Sequence, residues 1–167
     1  MYLNWRKATP AESVCLAKVD RHCFDIAWEP TIWSEVIDGT HVRVGILNGI
    51  KKAVYYVGQY FPPEDGNRGF VQIVKLGVDP KLRNKGLSRA ALADVRQWAW
   101  VNGVETKIFM DVPECLLYPG WDTFIGGWLD KVGFKPYTED FRRDAPHSLY
   151  GLDFQHSYRF ELQCKKA

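Results

Sequence analysis

The stretch VKLGVDPKLRNKGLSRAAL, residues 74–92, decides the fold. A run rich in Val and Leu reads as a buried strand, stops at Asp79-Pro80, and gives way to a basic, glycine-containing turn that opens directly into a helix. Such a junction traps anions. The first amides of a helix have no internal acceptor, and the macrodipole puts about half a positive charge there, so main chain alone can hold a phosphate. Gly86 lets the backbone approach closely, and Arg83, Lys85 and Arg89 add charge beside it. A basic loop whose glycine serves only the turn is the alternative; the strand before it and the helix after it favour the phosphate site. A P-loop would need G-x-x-x-x-G-K-[ST] and a dinucleotide fold G-x-G-x-x-G, and neither string occurs.

Working outward, residues 2–7 form a strand candidate ended by Thr9-Pro10-Ala11-Glu12, a capping box with Pro at the first helical position. The helix that follows takes its apolar face from Val14, Leu16, Ala17, Val19 and Phe24, and a short second helix is expected over 31–37. Two β-rich runs, 41–47 and 53–61, flank Asn48-Gly49, a hairpin signal. After a Pro-rich loop, 70–78 reads as a central strand buried on both faces. Helical spacing through Leu87, Ala91, Val95 and Trp98 stops at Asn102-Gly103. Residues 104–112 return as a strand, 122–131 as a last helix, 134–137 as a short strand, and 154–162 as the closing strand after a long polar loop. The order is that of a mixed α/β (α+β) sheet, antiparallel in front, with one β-α-β unit in the middle.

At 167 residues the chain fits one domain, and a compact fold of that size buries roughly 70% of its unfolded surface. The net charge of +2 is too small to imply nucleic acid as partner. No signal-peptide run and no apolar stretch of membrane-spanning length occurs, so a cytoplasmic protein with no membrane partner is expected. Cys15, Cys23, Cys115 and Cys164 make no C-x-x-C pair and no zinc spacing with the histidines, so reduced thiols and no metal are expected.

The 74–92 segment resembles the signature of the GNAT acetyltransferases, V-x-P followed by [QR]-x-x-G-x-[GA], through Val78, Pro80, Arg83 and Gly86; Ser88 stands where Gly or Ala is usual. LDKVGF, 129–134, is similar to the family's later G-F motif, and VDRHCFDIAWEPTIW, 19–33, resembles the opening of the ribosomal-protein alanine N-acetyltransferases. The resemblance spans nearly the whole chain. It implies the GNAT fold, a mixed and mostly antiparallel sheet of six or seven strands with about four helices, over a single domain of residues 1–167. It also implies acetyl-CoA as co-substrate in a splay between the fourth and fifth strands. Pantetheine would pair with backbone at Leu76, Gly77 and Val78, and the amides of Arg83, Asn84, Lys85, Gly86, Leu87 and Ser88 would cradle pyrophosphate. An amide near Val78 would polarise the thioester carbonyl.

Attack on a thioester needs a neutral amine and therefore a general base. Asp111, at the end of the strand expected to flank the cofactor, and Glu114, three residues on, are the candidates; a strand-end carboxylate that merely solvates a turn is the plainer alternative. Gln72 on the fourth strand cannot take a proton. Leu129 occupies the position where the family commonly has a Tyr acid, which leaves that role to Tyr118, to Tyr150 or to solvent. Trp28 and Trp33 fall in the region that lines the acceptor site in the family, though such Trp residues are more often core or lid packing. The expected partners are acetyl-CoA and an amine acceptor (a protein N-terminus, a lysine or a small amine), in a monomer or homodimer. A drug- or polyamine-modifying enzyme and a non-catalytic CoA-binding protein of the same fold remain alternatives, the latter because of Leu129 and Ser88.

Overall fold

The computed structural model describes residues 2–24, 27–49, 51–64, 66, 68–103, 107–113, 124–136, 142–143 and 157–163. The chain divides into two compact units, Met1–Gln59 with Ile73–Trp98, and Tyr60–Gln72 with Ala99–Ala167.

In the first unit the strands β1 (Leu3–Lys7), β2 (His41–Leu47), β3 (Lys51–Phe61) and β4 (Phe70–Val78) are neighbours in that order. β1 and β2 are antiparallel with Leu3 opposite Leu47, and β2 and β3 are antiparallel with His41 opposite Gly58. Asn48 and Gly49 both have positive φ, 51° and 76°, the backbone that a tight hairpin with right-handed strand twist requires. The capping box forms as expected. The Thr9 amide donates to Glu12 Oε1 at 3.0 Å, and a 3-10 turn, Pro10–Glu12, leads into α1 (Ser13–Cys23). α2 (Pro30–Gly39) and α3 (Leu87–Val101) complete this part, α3 ending at Gly103 with φ 75°.

Two sequence expectations change here. The inward face of α1 is Ser13, Leu16, Ala17 and Asp20 at helical spacing, while Val14 is 56% exposed. The apolar count is misled because a carboxylate takes the fourth inward position, where partners from distant strands satisfy it. β4, in turn, is not buried on both faces. Val71, Ile73, Lys75 and Gly77 are buried, whereas Gln72, Val74, Leu76 and Val78 are half-buried, so the strand alternates.

In the second unit the first residues of β4 are followed by β5 (Lys107–Pro113), then β8 (Ser157–Gln163), then β6 (Lys135–Pro136), with β7 (Arg142–Arg143) on β8. β5 and β8 are antiparallel, Asp111 opposite Arg159 and Phe109 opposite Glu161. The 142–143 rung lies within what reads as loop in the sequence; two charged residues carry no periodic signal. α4 (Phe124–Val132) precedes Gly133, whose φ is 95°. Val71, Ile108, Phe109, Val112, Leu129, Phe134, Phe160 and Leu162 form the core of this unit. Among the described residues the outcome is a mixed α/β architecture with six longer strands, two two-residue strands and four α-helices.

Candidate functional site

The junction between β4 and α3 has the geometry of an anion site. Asp79 closes the strand: its amide bonds Ala53 O at 2.9 Å, and its carboxylate accepts from the Lys81 amide at 2.9 Å, fixing the turn at Pro80–Leu82. The chain then passes through Asn84 (φ 63°) and Gly86 (φ 77°) before α3 begins. The Ala90 amide donates to Gly86 O at 3.0 Å, so Gly86 caps the helix and the amides just after it belong to the turn without internal acceptors. No protein atom lies within 4 Å of where a Cβ on Gly86 would stand. Glycine is required there by its φ and not by its neighbours. Arg83, Asn84, Lys85 and Gly86 are exposed, Ser88 is half-buried, and Leu87 turns its side chain into the core. Backbone and charge are thus presented on one short loop.

The same end of this strand is backed by a buried cluster that the sequence does not announce. Asp20 of α1, fully buried, accepts from Lys75 Nζ at 2.6 Å, from the Trp28 amide at 2.8 Å, and from the Tyr55 hydroxyl. Lys75 Nζ also lies 4.1 Å from the Trp28 ring centroid, 4.8 Å from Phe24 and 5.9 Å from Trp33. Burial pulls the Lys75 ammonium below its ordinary range, against the pull of Asp20, and pushes Tyr55 well above its own. A Cβ on Gly77 would collide with the Tyr55 ring and hydroxyl, so glycine lets that ring lie flat against β4. Cys23 donates its thiol to Val78 O at 3.3 Å, and burial raises the thiol to about 11. Gly77 and Val78 are held from this side by β3 and α1.

Trp28 and Trp33, expected near an acceptor, are 3% and 0% exposed. Their rings meet edge to face at 5.0 Å, and Trp33 meets Tyr55 at 5.4 Å. They wall the Lys75 ammonium.

In the second unit Asp111 is half-buried, and its Oδ2 accepts from Gln72 Nε2 at 3.1 Å. Leu129 is 1% exposed, a core residue with no proton to give. Glu114, Tyr118 and Tyr150 lie outside the described residues. Among the described residues no group of His, Cys, Asp and Glu is placed to hold a metal ion, and no helix is long and apolar enough to cross a membrane.

Comparison with solved structures decides the architecture. The ribosomal-protein-S18-alanine N-acetyltransferase from Escherichia coli superposes with TM-score 0.72 at 14% identity, covering 99% of this chain and 96% of that one. The fold is that of the GNAT acetyltransferases. NAA60 of Arabidopsis thaliana in complex with acetyl-CoA matches at TM-score 0.71 and 15% identity, over 97% of this chain and 98% of its own. GphF, a GNAT-like decarboxylase in complex with isobutyryl-CoA, matches at TM-score 0.73 and 12% identity, over 97% of this chain and all of its own. No protein-family model and no curated protein matches the sequence. Identities this low fix the fold and leave reaction and substrate to the site.

Proposed function

We propose that this chain is an acyl-CoA-dependent N-acyltransferase that moves an acetyl group from acetyl-CoA to an amine. The observation that carries the reading is the loop at 83–88, where positive-φ Asn84 and Gly86 lead into the start of α3 beside exposed Arg83 and Lys85. In this reading the amides of residues 83–88 bind the pyrophosphate and the backbone of Leu76, Gly77 and Val78 binds the pantetheine arm. The amine attacks the thioester carbon, C–N forms, the oxyanion collapses, C–S breaks and CoA leaves as a thiol. Asp111 is the general base that takes the proton from the attacking nitrogen. Glu114 is the runner-up base and Tyr118 the substitute acid. Trp28 and Trp33 act through the wall they build around Lys75. The acceptor is a protein N-terminus, a lysine or a small amine, and the whole of residues 1–167 works as one cytoplasmic catalytic domain, monomeric or dimeric.

Acetyl-CoA with an alanine-initiated peptide, Nα-acetyl-lysine amide or spermidine should release free thiol. Asp111→Asn should lower kcat by about 10²–10⁴-fold while CoA affinity stays within about twofold. Unchanged turnover in Asp111→Asn would remove it from the reaction.

One observation favours a second reading. Leu129, buried where the resemblance has a Tyr acid, fits a protein that keeps the coenzyme site and has lost turnover. A CoA-dependent thermal shift without thiol release would select it. Loss of the acid alone does not exclude catalysis, since a thiolate leaves well without assistance.

A further inference from the structure

We infer that Cys23 is a positioning residue for the coenzyme loop, its thiol setting the direction in which β4 enters the turn at Pro80–Leu82, an inference that rests on the reading of residues 83–88 as the pyrophosphate site. The last peptide unit of β4 joins the Val78 carbonyl to the Asp79 amide, and a trans peptide plane points these two groups in opposite directions. Each is held. The Asp79 amide donates to Ala53 O of β3 at 2.9 Å, and the Val78 carbonyl accepts from the thiol of Cys23, the last residue of α1, at 3.3 Å. One of these bonds alone leaves the plane able to rock about it; the two together, from opposite sides, fix it.

What is fixed at this plane passes to the loop, because little freedom lies between them. Pro80 confines the residue before it to extended backbone, and Asp79 has φ −47° and ψ 123°. The proline ring sets its own φ, and the Asp79 carboxylate and carbonyl accept from the Lys81 and Leu82 amides at 2.9 and 2.8 Å. A tilt at Val78 therefore carries through to Arg83 and the amides after it. The thiol belongs to this turn: Arg83 and Asp79 both act on its ionisation, in opposite senses. Burial, with the Asp20 carboxylate nearby, keeps the sulfur protonated at neutral pH, so it serves as a hydrogen-bond donor and not as a nucleophile. A thiol is a weak donor, and one such bond sets a modest factor in affinity.

The test compares wild type, Cys23→Ala and Cys23→Val in the full chain, the valine restoring the lost volume without a donor. Hydrogen exchange at the Asp79 amide reads the plane, exchange at the Val44 amide of β2 reads the fold, and calorimetric titration of CoA, with kcat and KM for acetyl-CoA, reads the loop. Both variants should exchange the Asp79 amide about threefold faster or more and bind CoA about threefold to tenfold more weakly. Exchange at Val44 should stay as in wild type, and kcat within about twofold of it. Wild-type exchange at Asp79 in both variants, or recovery in Cys23→Val, overturns the inference, since the bond would then not hold the plane. Equal acceleration at Asp79 and Val44 overturns it as a general loss of stability, and faster exchange with unchanged CoA affinity overturns it because the plane would not reach the loop. The reading beneath it fails separately: if wild type gives no heat with CoA, the phosphate site is misplaced, whatever the exchange shows.

Discussion

Tyr55 and Tyr56 are adjacent on β3 and face opposite sides of the sheet, and each ends in a trio of the same composition: a tyrosine, an aspartate from a helix, and a cation from a neighbouring strand. On one side Tyr55, Asp20 and Lys75 are sealed, with Lys75 and Asp20 side chains 9% and 0% exposed. On the other Tyr56 donates to Asp94 at 2.8 Å, and Arg43 forks onto the same carboxylate with two bonds of 2.9 Å, at 26% and 14% exposure. Chemically alike, the two differ in water. The open trio is a helix anchor of ordinary cost. The closed one takes a full ion pair out of solvent and lines it with Phe24, Trp28 and Trp33, and such a pair gains little net stability over a well-fitted apolar set while being costly to break. What it provides is position: it ties α1, the segment at Trp28, β3 and β4 together directly behind Gly77 and Val78.

The comparison breaks first at Asp20. Asp20→Ala should destabilise the protein by about 3–5 kcal/mol in urea unfolding, since it strands the Lys75 ammonium in an aromatic box. Asp94→Ala, which leaves Arg43 access to water, should cost about 1–3 kcal/mol. Equal losses would mean that burial does not separate the trios. The double variant Asp20→Asn with Lys75→Met should recover most of what either single change loses, whereas additive losses would contradict the account of a closed pair.

A smaller effect sits beside the open trio. His41 stacks on Trp98 at 4.0 Å, its Nε2 is buried without a hydrogen-bond partner, and burial lowers it to about 4. A histidine whose folded value is depressed contributes stability above the unfolded value of 6.5 and loses it as pH falls toward 4. Stability should therefore drop by about 2 kcal/mol or less between pH 7 and 4, and His41→Phe should remove that share of the slope. The same slope in both proteins would place the acid sensitivity elsewhere.

Much of this was legible in advance where the signal is local. Asn48-Gly49, Thr9 with Glu12, and the Gly86 turn each express a backbone demand met within a few residues, and each appears as the sequence implies. Lys75 in a strand and Asp20 on a helix carry no such signal. Asp20 is 35 residues from Tyr55 and 55 from Lys75, so only the folded chain shows that a charge at an inward position is satisfied. The bond from Gln72 to Asp111, 39 residues on, is likewise visible only in the folded chain. The expected inward Val14 failed for the complementary reason: apolar character does not say which side of a helix will find partners.

The central claim is that the coenzyme's phosphates dock on the main chain where β4 turns into α3, and calorimetric titration of CoA into wild type and Gly86→Val tests it most directly. The wild-type protein should bind with measurable heat, and the variant, whose branched side chain disfavours the positive φ at position 86 and projects into the space beside the loop, should bind at least about tenfold more weakly. No heat with wild type, or equal affinity in the two proteins, would contradict it.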